Sequence, residues 1–376
     1  MRVAIAAGGT GGHLFPGLAI AEALRRQSPG IEVMFIGGHR LESRLVPQEG
    51  WPFRTIAGRG LPSRPGWRTV AALASSTRGG WQALRLLWAW RPDVVVATGG
   101  YVCAPVGAAA VLLGLPLVLQ EQNLSPGLAN RVLARWARWV SVPHEDAASR
   151  WRARRVEVTG VPLRTRAVWG DRRRGMSRWG LEEGRVTVLV VGGSQGAHSL
   201  NRAVCRTADL LMDESGLQIL HQTGPEHLHW VREAIGRREH VGPPALRHVA
   251  VPFLDPIGDA YAAADLVLCR AGASTLAEVT AWGLPAIVVP YPHAARAHQE
   301  ENAAVLVRAG AAVPLADSDL DGTRLADLLG ILVRDASRRA AMAAASRTLG
   351  RPGAADVVAG LVLALGPARA VQEVRA

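Results

Sequence analysis

The chain has 376 residues, of which 49% are hydrophobic, so it holds enough apolar material for two cores of ordinary size. Its net charge of +12 comes from arginine alone, and the absence of lysine excludes a Walker A nucleotide loop. The three widely spaced cysteines (Cys103, Cys205 and Cys269) exclude a disulfide framework and a paired-cysteine zinc site, and they fit a reducing cytosol.

A short apolar strand followed by a glycine-rich turn occurs twice in the chain. Residues 3–7 run into 8–13 (GGTGGH), and residues 186–191 run into 192–197 (GGSQGA). A strand that ends in glycines before a helix presents backbone N–H groups to an anion such as phosphate. The repeat predicts an α/β fold with two Rossmann-like domains that face each other across a cleft, with the active site in that cleft.

Apolar runs alternate with helical patterns in both halves, which is typical of parallel α/β sheets. We expect strands at residues 3–7, 33–36, 94–97, 117–119 and 139–142, and then at 186–191, 218–220, 266–269 and 286–289. Turn residues at 160–162 predict an N-terminal domain over residues 1–162 and a C-terminal domain over 163–344. The alanine-rich stretch at about 345–376 is helical in pattern and can pack on either half.

Two segments raise the question of a membrane. The uncharged residues 94–120 are divided by glycines and prolines, which predicts buried strands and a short helix instead of a membrane span. The helical segment 66–90 combines large apolar residues on one side with flanking arginines, namely Trp81, Leu84, Leu87 and Trp88 with Arg78 and Arg85. This pattern indicates either an interfacial membrane patch or a core-facing stripe.

The positive charge is concentrated in the first half of the chain. Residues 1–163 hold 19 arginines against 9 acidic residues, a difference of +10 out of the total of +12. Such a field favours an anionic partner, either membrane phospholipid or nucleic acid. Together with the tryptophans, it favours an anionic membrane surface, and we expect no nucleic-acid partner.

Three other chemistries can be weighed on the residues. A GxGxxG dinucleotide motif fails at Leu14, which argues against a dehydrogenase. Residues 192–196 satisfy GxSxG, so a serine hydrolase built on Ser194, with Asp255 and either His293 or His298, remains an alternative. The acidic run 317–321 resembles a metal-binding DxD motif, but carboxylates before a helix are ordinary capping residues.

The richest group of polar residues follows the predicted strand 266–269. Small residues after Arg270 allow a diphosphate to approach the backbone and the next helix N-terminus. Glu278, about one turn further, can accept hydrogen bonds from a ribose diol. Downstream, Gln299 and Asn302 are amides that suit sugar hydroxyls.

Along its whole length, from the first glycine turn to at least Gly310, the chain resembles the MurG family, which transfers N-acetylglucosamine (GlcNAc) from UDP-GlcNAc to lipid I, a lipid-linked muramyl pentapeptide. The matching blocks are residues 8–13, 99–102 (GGYV), 121–123 (EQN), 192–197, 221–224 (HQTG), 270–278, Gln299 and Asn302. The resemblance implies a GT-B fold, with the acceptor mostly in the N-terminal half and the donor mostly in the C-terminal half. It also implies that the C-terminal helix crosses back to the N-terminal domain.

The resemblance also implies roles for individual residues. Ser194 would meet phosphate, and Ala273, Ser274 and Thr275 would meet the diphosphate, with Leu276 and Ala277 beside them. Glu278 would hold the ribose, Leu254 the uracil, and Gln299 and Asn123 the GlcNAc. Arg164 would contact the donor, and Thr10, Gly11 and Gly12 would line the cleft.

The chemistry implied by the resemblance is an inverting displacement at the sugar C1 by the 4-hydroxyl of the acceptor. Our candidate base is His13, because an imidazole titrates near neutral pH, with Glu121 as the reserve candidate. The alternative is that His13 only positions the acceptor diphosphate. Arg270 and the helix N-terminus after Gly272 would stabilise the departing UDP, so we expect no metal or other cofactor.

The chain departs from the family pattern at Cys103, Gln120 and Val161, which leaves the roles of these positions open. The resemblance implies a peripheral enzyme of peptidoglycan synthesis on the cytoplasmic face of the inner membrane that forms lipid II. It also allows contacts with other proteins of cell-wall synthesis. A related GT-B transferase with another lipid acceptor, such as a diacylglycerol, remains an alternative.

Overall fold

A computed structural model describes residues 1–60, 67–241, 245–294 and 298–366. The chain forms two compact units, one of Met1–Arg164 with Gly353–Ala376 and the other of Thr165–Pro352. The sequence predicted the boundaries after residue 162 and near residue 345. Gly66 and residues 367–376, which belong to two of the predicted helical segments, lie outside the described residues.

The first unit is built on a seven-stranded parallel sheet in the order β3-β2-β1-β4-β5-β6-β7. Its strands are β1 (Arg2–Ala6), β2 (Glu32–Gly37), β3 (Phe53–Thr55), β4 (Val94–Ala97), β5 (Leu117–Gln120), β6 (Trp139–Val142) and β7 (Val156–Val158). Its helices are α1 (Gly11–Gln27), α2 (Leu41–Gln48), α3 (Trp67–Trp90), α4 (Cys103–Leu112), α5 (Leu128–Leu133) and α6 (Glu145–Ala148).

The second unit is built on a six-stranded parallel sheet in the order β10-β9-β8-β11-β12-β13. Its strands are β8 (Val186–Val191), β9 (Leu217–Gln222), β10 (Arg247–Val251), β11 (Leu266–Arg270), β12 (Ala286–Val289) and β13 (Ala312–Pro314). Its helices are α7 (Thr165–Val168), α8 (Arg172–Arg178), α9 (His198–Leu210), α10 (Leu228–Val241), α11 (Ile257–Ala263), α12 (Ala273–Ala281), α13 (His298–Arg308), α14 (Gly322–Arg334) and α15 (Ala336–Leu349).

Both sheets reverse their strand order at one point, between β1 and β4 in the first unit and between β8 and β11 in the second. Ligands of open α/β sheets bind at the carboxyl ends of the strands at such a switch point. At each switch point the carboxyl ends of the two neighbouring strands lie at the same height, because Ala6 pairs with Ala97 and Val191 pairs with Cys269. Each predicted glycine turn therefore lies at the switch point of its own sheet.

The last described helix, α16 (Ala354–Leu363), belongs to the first unit and packs on α1. Its buried face includes Val358 and Val362, which join the core formed by β1, β2 and α1. An ion pair of 2.7 Å between Arg26 and Asp356 lies at the edge of this contact. A helix from the C-terminal part of the chain thus helps to cover the sheet of the N-terminal unit.

The predicted strands coincide with the central strands of both sheets, and residues 94–120 form β4, α4 and β5 as expected. The four strands that the sequence did not predict, β3, β7, β10 and β13, are the edge strands. Edge strands bury little and lack continuous apolar runs. Within the described part of the chain, no helix is both long and apolar enough to cross a bilayer.

Candidate functional site

The glycine turn after β1 is held by a buried glutamate. Glu42 is fully buried on α2 and accepts hydrogen bonds from the backbone N–H groups of Gly9 (3.1 Å) and Gly38 (3.0 Å) and from the hydroxyl of Tyr101 (3.0 Å). Burial, together with the negative charge of Glu42, raises the pKa of Tyr101 to about 12 and keeps it a donor. This internal carboxylate occupies the Gly9 N–H, so the first turn is a poorer anion site than its sequence suggests.

His13 lies in the first turn of α1, between the ends of β1 and β4. Its Nδ1 is 3.1 Å from the hydroxyl of Thr10, and its carbonyl accepts a 2.7 Å hydrogen bond from Thr98. The ring lies against Gly99 and Gly100, where a Cβ added at Gly99 would overlap the imidazole. Glycine at these positive-φ positions therefore makes room for the partly buried ring.

Thr10, Gly11 and Gly12 complete this end of the first sheet. The Thr10 carbonyl accepts the N–H of His13, and both Thr10 and Gly12 are exposed. Helix α1 begins at Gly11 without a side-chain cap. The Thr10 side chain is thus free to orient the His13 ring, as the 3.1 Å distance indicates.

Glu121 organises the loop that follows β5. It is buried, and its two oxygens accept hydrogen bonds from five N–H donors, which are the backbone of Gln122, Asn123 and Gly127 and the side-chain amides of Asn123 and Asn130. These five donors fill the lone-pair sites of both carboxylate oxygens. This geometry argues against Glu121 as the reserve base and indicates that its role is to hold the loop in shape.

The three departures from the family pattern are all buried in the first unit. The Cys103 thiol lies 3.1 Å from the Gly99 N–H and 2.7 Å from its carbonyl, and burial raises its pKa to about 12, so it is an inert part of the turn. Gln120 exchanges hydrogen bonds with residues 121 and 122. Val161 is an apolar core residue.

Arg164 has a structural role that the sequence did not predict. Its guanidinium donates to Glu22 (2.9 Å) and, through two parallel bonds, to Glu49 (2.9 and 2.6 Å). The arginine is buried, whereas both carboxylates are partly exposed. Three of its five N–H donors are thereby used, and two remain for a ligand. Its role as a donor contact stays a prediction.

In the second unit, Ser194 lies at the exposed tip of the turn between β8 and α9. Gly193 and Gly196 carry the positive φ angles of this turn, whereas Ser194 does not. A hydrolase nucleophile instead lies on a strained strand-to-helix turn. Helix α9 begins four residues later, at His198, so the backbone favours an anion-binding turn over a nucleophile elbow.

The neighbouring switch-point element is the N-terminus of α12, which follows β11 through Gly272 without a side-chain cap. Arg270, buried at the end of β11, donates to Ser199 (2.6 Å) and to the carbonyls of Val289 and Pro290, and its guanidinium lies 2.7 Å from Asp317. Its Nε and the buried hydroxyl of Ser274 have no partner among the described residues. Buried donors without partners at a positive helix end suit an anionic ligand.

Glu278 lies on α12 about one turn after this N-terminus and is held by Tyr261. The fully buried Tyr261 donates a 2.8 Å hydrogen bond to Glu278 Oε2. Burial raises the pKa of Glu278 to about 7, and the tyrosine bond opposes that rise. The other oxygen, Oε1, is the one available to a ribose diol. The sequence contained no local signal for Tyr261, which lies on α11, 17 residues before Glu278.

We predict that Tyr261→Phe makes donor binding more sensitive to pH. Loss of the hydrogen bond raises the pKa of Glu278 further, so at pH 7 more of the carboxyl is protonated and cannot accept both ribose hydroxyls. The KM for the nucleotide sugar should rise about 3- to 10-fold at pH 7 and return towards the wild-type value at pH 9. Kinetics between pH 6 and 9 test this, and an equal rise at every pH would contradict it.

The remaining predicted residues occupy different environments in the second unit. Leu254 is buried beside the exposed Phe253, and Gln299 Oε1 accepts the backbone N–H of Tyr291 (2.9 Å). Asn302 is buried on α13. In the acidic run, Asp321 caps α14, as the capping interpretation predicts, whereas Asp317 pairs with Arg270. Ala273 to Ala277 form the first turn of α12.

Helix α3 exposes part of the predicted apolar face. Trp81 and Trp88 are each 66% exposed, with Arg78 and Arg85 exposed on the same side, whereas Leu87 is buried in the core. The expected single face therefore divides into a core side and an exposed side. Exposed apolar residues recur on the helices that pack in succession beside α3, namely Leu112 on α4, Leu128 and Val132 on α5, and Trp136 just after it.

Comparisons with known proteins match both units. Residues 3–142 match the glycosyltransferase family 28 N-terminal domain, and residues 187–358 match its C-terminal domain. The chain is 42% identical, over 96% of its length and 98% of the relative's, to the UDP-N-acetylglucosamine–N-acetylmuramyl-(pentapeptide) pyrophosphoryl-undecaprenol N-acetylglucosamine transferase of Moorella thermoacetica, and 39% identical over the same shares to that of Halothermothrix orenii. The crystal structure of Acinetobacter baumannii MurG superposes with a TM-score of 0.77 at 30% identity, covering 96% of this chain and 99% of that one.

Proposed function

The chain belongs to the MurG family of glycosyltransferases, and we propose on this basis that it transfers GlcNAc from UDP-GlcNAc to the muramyl 4-hydroxyl of lipid I, forming lipid II for peptidoglycan synthesis. The GT-B fold predicted from the sequence is confirmed. One observation carries the donor side of the proposal: unpartnered buried donors at the α12 N-terminus lie about one turn from a carboxylate suited to a ribose. A nucleoside diphosphate matches this arrangement, because it carries an anionic diphosphate next to the two hydroxyls of its ribose.

On the donor side, each predicted residue receives a proposed contact. The turn at Ser194 and the first turn of α12, from Ala273 to Ala277, bind the two phosphates through N–H and hydroxyl groups. Glu278 accepts the ribose hydroxyls, Leu254 borders the uracil and Gln299 binds the GlcNAc. Asn123 in the first unit keeps its proposed contact with the same sugar, and Arg164 its contact with the donor.

On the acceptor side, we assign the proton transfer to His13. Its imidazole takes the proton from the acceptor 4-hydroxyl as the oxygen attacks C1 of GlcNAc. The C1–oxygen bond to UDP breaks with inversion, and the diphosphate keeps the bonding electrons. Arg270 and the N-terminus of α12 stabilise the charge that develops on the leaving UDP.

The test is release of UDP from UDP-GlcNAc by the purified protein, with and without a short-chain lipid I analogue. We expect release that depends on the analogue, and a higher donor KM for Glu278→Ala. Release with a diacylglycerol in place of the analogue would support the alternative lipid acceptor. Labelling of Ser194 by a fluorophosphonate, without binding of UDP-GlcNAc, would support the serine hydrolase and overturn the proposal.

We propose further that the exposed face of α3 docks on the cytoplasmic face of the inner membrane. Arginines alternate along this face with tryptophans, which suits insertion at the headgroup level of an anionic leaflet. The exposed apolar residues of α4 and α5 and the cation–π pair of Arg135 with Trp136 (5.2 Å) extend the same chemistry. Contacts with other proteins of cell-wall synthesis remain a prediction of the family resemblance.

We predict that replacing Trp81 and Trp88 by serine weakens binding to phosphatidylglycerol vesicles at least tenfold. The matched control is Trp169→Ser in the second unit, a tryptophan that is 75% exposed and not part of this face. Replacing Arg78 and Arg85 by glutamine should remove most of the preference for anionic over neutral vesicles, because each arginine contributes about 1 kcal/mol near such a surface. Equal vesicle binding by the tryptophan double variant and wild type would contradict this docking.

A further inference from the structure

The turn that bears Ser194 is pressed against the loop after β9. Gly196 and Gly224 both have positive φ, and an added Cβ at Gly196 would overlap the Thr223 carbonyl, while one at Gly224 would overlap the Gln195 carbonyl. The side-chain amide of the buried Gln222 also donates a 2.8 Å hydrogen bond to the Gly193 carbonyl. The shape of the turn therefore depends on where the end of β9 holds the Thr223 carbonyl.

A buried chain of hydrogen bonds holds that carbonyl. Arg238 lies 3.2 Å from His248 Nδ1, His248 Nε2 lies 3.2 Å from His221 Nδ1, and His221 Nε2 lies 3.0 Å from the Asn201 oxygen. The Asn201 amide nitrogen then donates a 2.8 Å bond to the Thr223 carbonyl. His221 and Asn201 are fully buried. The chain thus runs from α10 through β10, β9 and α9 to the turn.

The direction of every bond in this chain is determined by its first member. A guanidinium can only donate, so His248 Nδ1 accepts and its Nε2–H donates to His221 Nδ1. His221 Nε2–H must then donate to the Asn201 oxygen, which leaves the Asn201 NH2 group to donate to Thr223. Asp209 lies 2.8 Å from the Arg238 guanidinium and fixes the start of the chain.

The direction requires both imidazoles to be neutral, because a protonated ring has no acceptor nitrogen. Burial lowers the pKa of His221 to about 3, and burial with the neighbouring His221 lowers that of His248 well below its usual value. The planes of the two rings are nearly parallel, at 15°, with ring centroids 5.4 Å apart. His248, His221 and Asn201 therefore each accept one hydrogen bond and donate one along the chain.

We propose that the chain Arg238, His248, His221 and Asn201 positions the phosphate-binding turn at Ser194 through the Thr223 carbonyl. These are positioning residues that touch no substrate. The inference rests on the proposed function, because it takes the turn to bind the donor's phosphates. Loss of the last bond lets the Thr223 carbonyl move and the turn open, so the phosphate contacts weaken while the uridine contacts stay intact.

The test compares the affinities of UDP and of uridine in wild type and in chain variants by calorimetry. Asn201→Asp keeps the acceptor for His221 but loses the donor to Thr223, and it should weaken UDP binding about tenfold while uridine binding changes less than twofold. His221→Leu should do the same. His221→Gln, whose amide can accept and donate in the same direction, should recover most of the UDP affinity.

The matched control is Gln218→Leu, a fully buried polar residue in the same strand whose bonds go to Thr187 and Glu182, away from the turn. It should lower the melting temperature without changing the ratio of UDP to uridine affinity. Should Asn201→Asp fail to fold, the comparison of His221→Leu with His221→Gln tests the positioning role. An unchanged ratio in folded chain variants overturns the positioning role alone, whereas a wild type that does not bind UDP overturns the donor assignment and this role with it.

Discussion

Replacing His13 by alanine should lower kcat by about 10² to 10⁴-fold, the usual contribution of a positioned general base, and leave the donor KM within about threefold. The imidazole is held between the turns after β1 and β4, with its Nδ1 3.1 Å from the Thr10 hydroxyl. Single-turnover rates with a lipid I analogue at saturating donor measure the effect. Removal of this base cannot be compensated by Glu121, because five N–H donors occupy its oxygens.

Two further variants distinguish a base from a residue that only positions the acceptor. Thr10→Val removes the hydroxyl that orients the ring, and we expect it to lower kcat about tenfold with little effect on either KM. Glu121→Gln removes charge but keeps the side-chain shape, and its effect should appear as lower stability of the loop after β5. A His13→Ala enzyme with normal kcat and a strongly raised acceptor KM would instead support the positioning role.

The second large effect is expected for stability. Replacing Arg164 by methionine should lower the free energy of unfolding of the first unit by about 3 kcal/mol, because it leaves Glu22 and Glu49 without their common partner in a partly buried site. The bidentate geometry towards Glu49 makes this a stronger interaction than an exposed pair. Chemical denaturation monitored by tryptophan fluorescence measures the change.

The matched control is Arg26→Met, which breaks the ion pair between Arg26 and Asp356 in the same unit. That pair is about half exposed on both sides and should contribute no more than about 1 kcal/mol. Similar losses for the two variants would show that the Arg164 cluster is no more stabilising than a surface pair. A raised donor KM of Arg164→Met, measured where the variant is still folded, would support its proposed contact with the donor.

The sequence alone determined the elements whose signals are local. Buried parallel strands are continuous apolar runs, so β1, β4, β8 and β11 could be predicted to within one residue at each end, together with the glycine turns after them. The repeated strand–glycine–helix pattern predicted two α/β units. The family and the activity also followed, because the matching blocks lie in sequence order and need no knowledge of packing.

Other features were decided by the tertiary structure, because they join residues far apart in the chain. The edge strands β3, β7, β10 and β13 have too little burial to produce an apolar run, and they form only because a neighbour offers hydrogen bonds. The acidic partner of the first glycine turn does not end the second strand, where a dinucleotide motif would place it. It is Glu42 on the next helix, which folds back to reach Gly9.

The same reason applies to the polar groups that support the candidate site. Tyr261 meets Glu278, Glu49 meets Arg164 and His248 meets His221 through side-chain hydrogen bonds across 17, 115 and 27 residues. No spacing rule links such pairs, because each depends on which helix packs on which strand. The sequence thus determined the chemistry that the site can perform. Packing decided which residues hold the functional side chains in position, because a buried polar group without a partner is costly and burial therefore selects its partner.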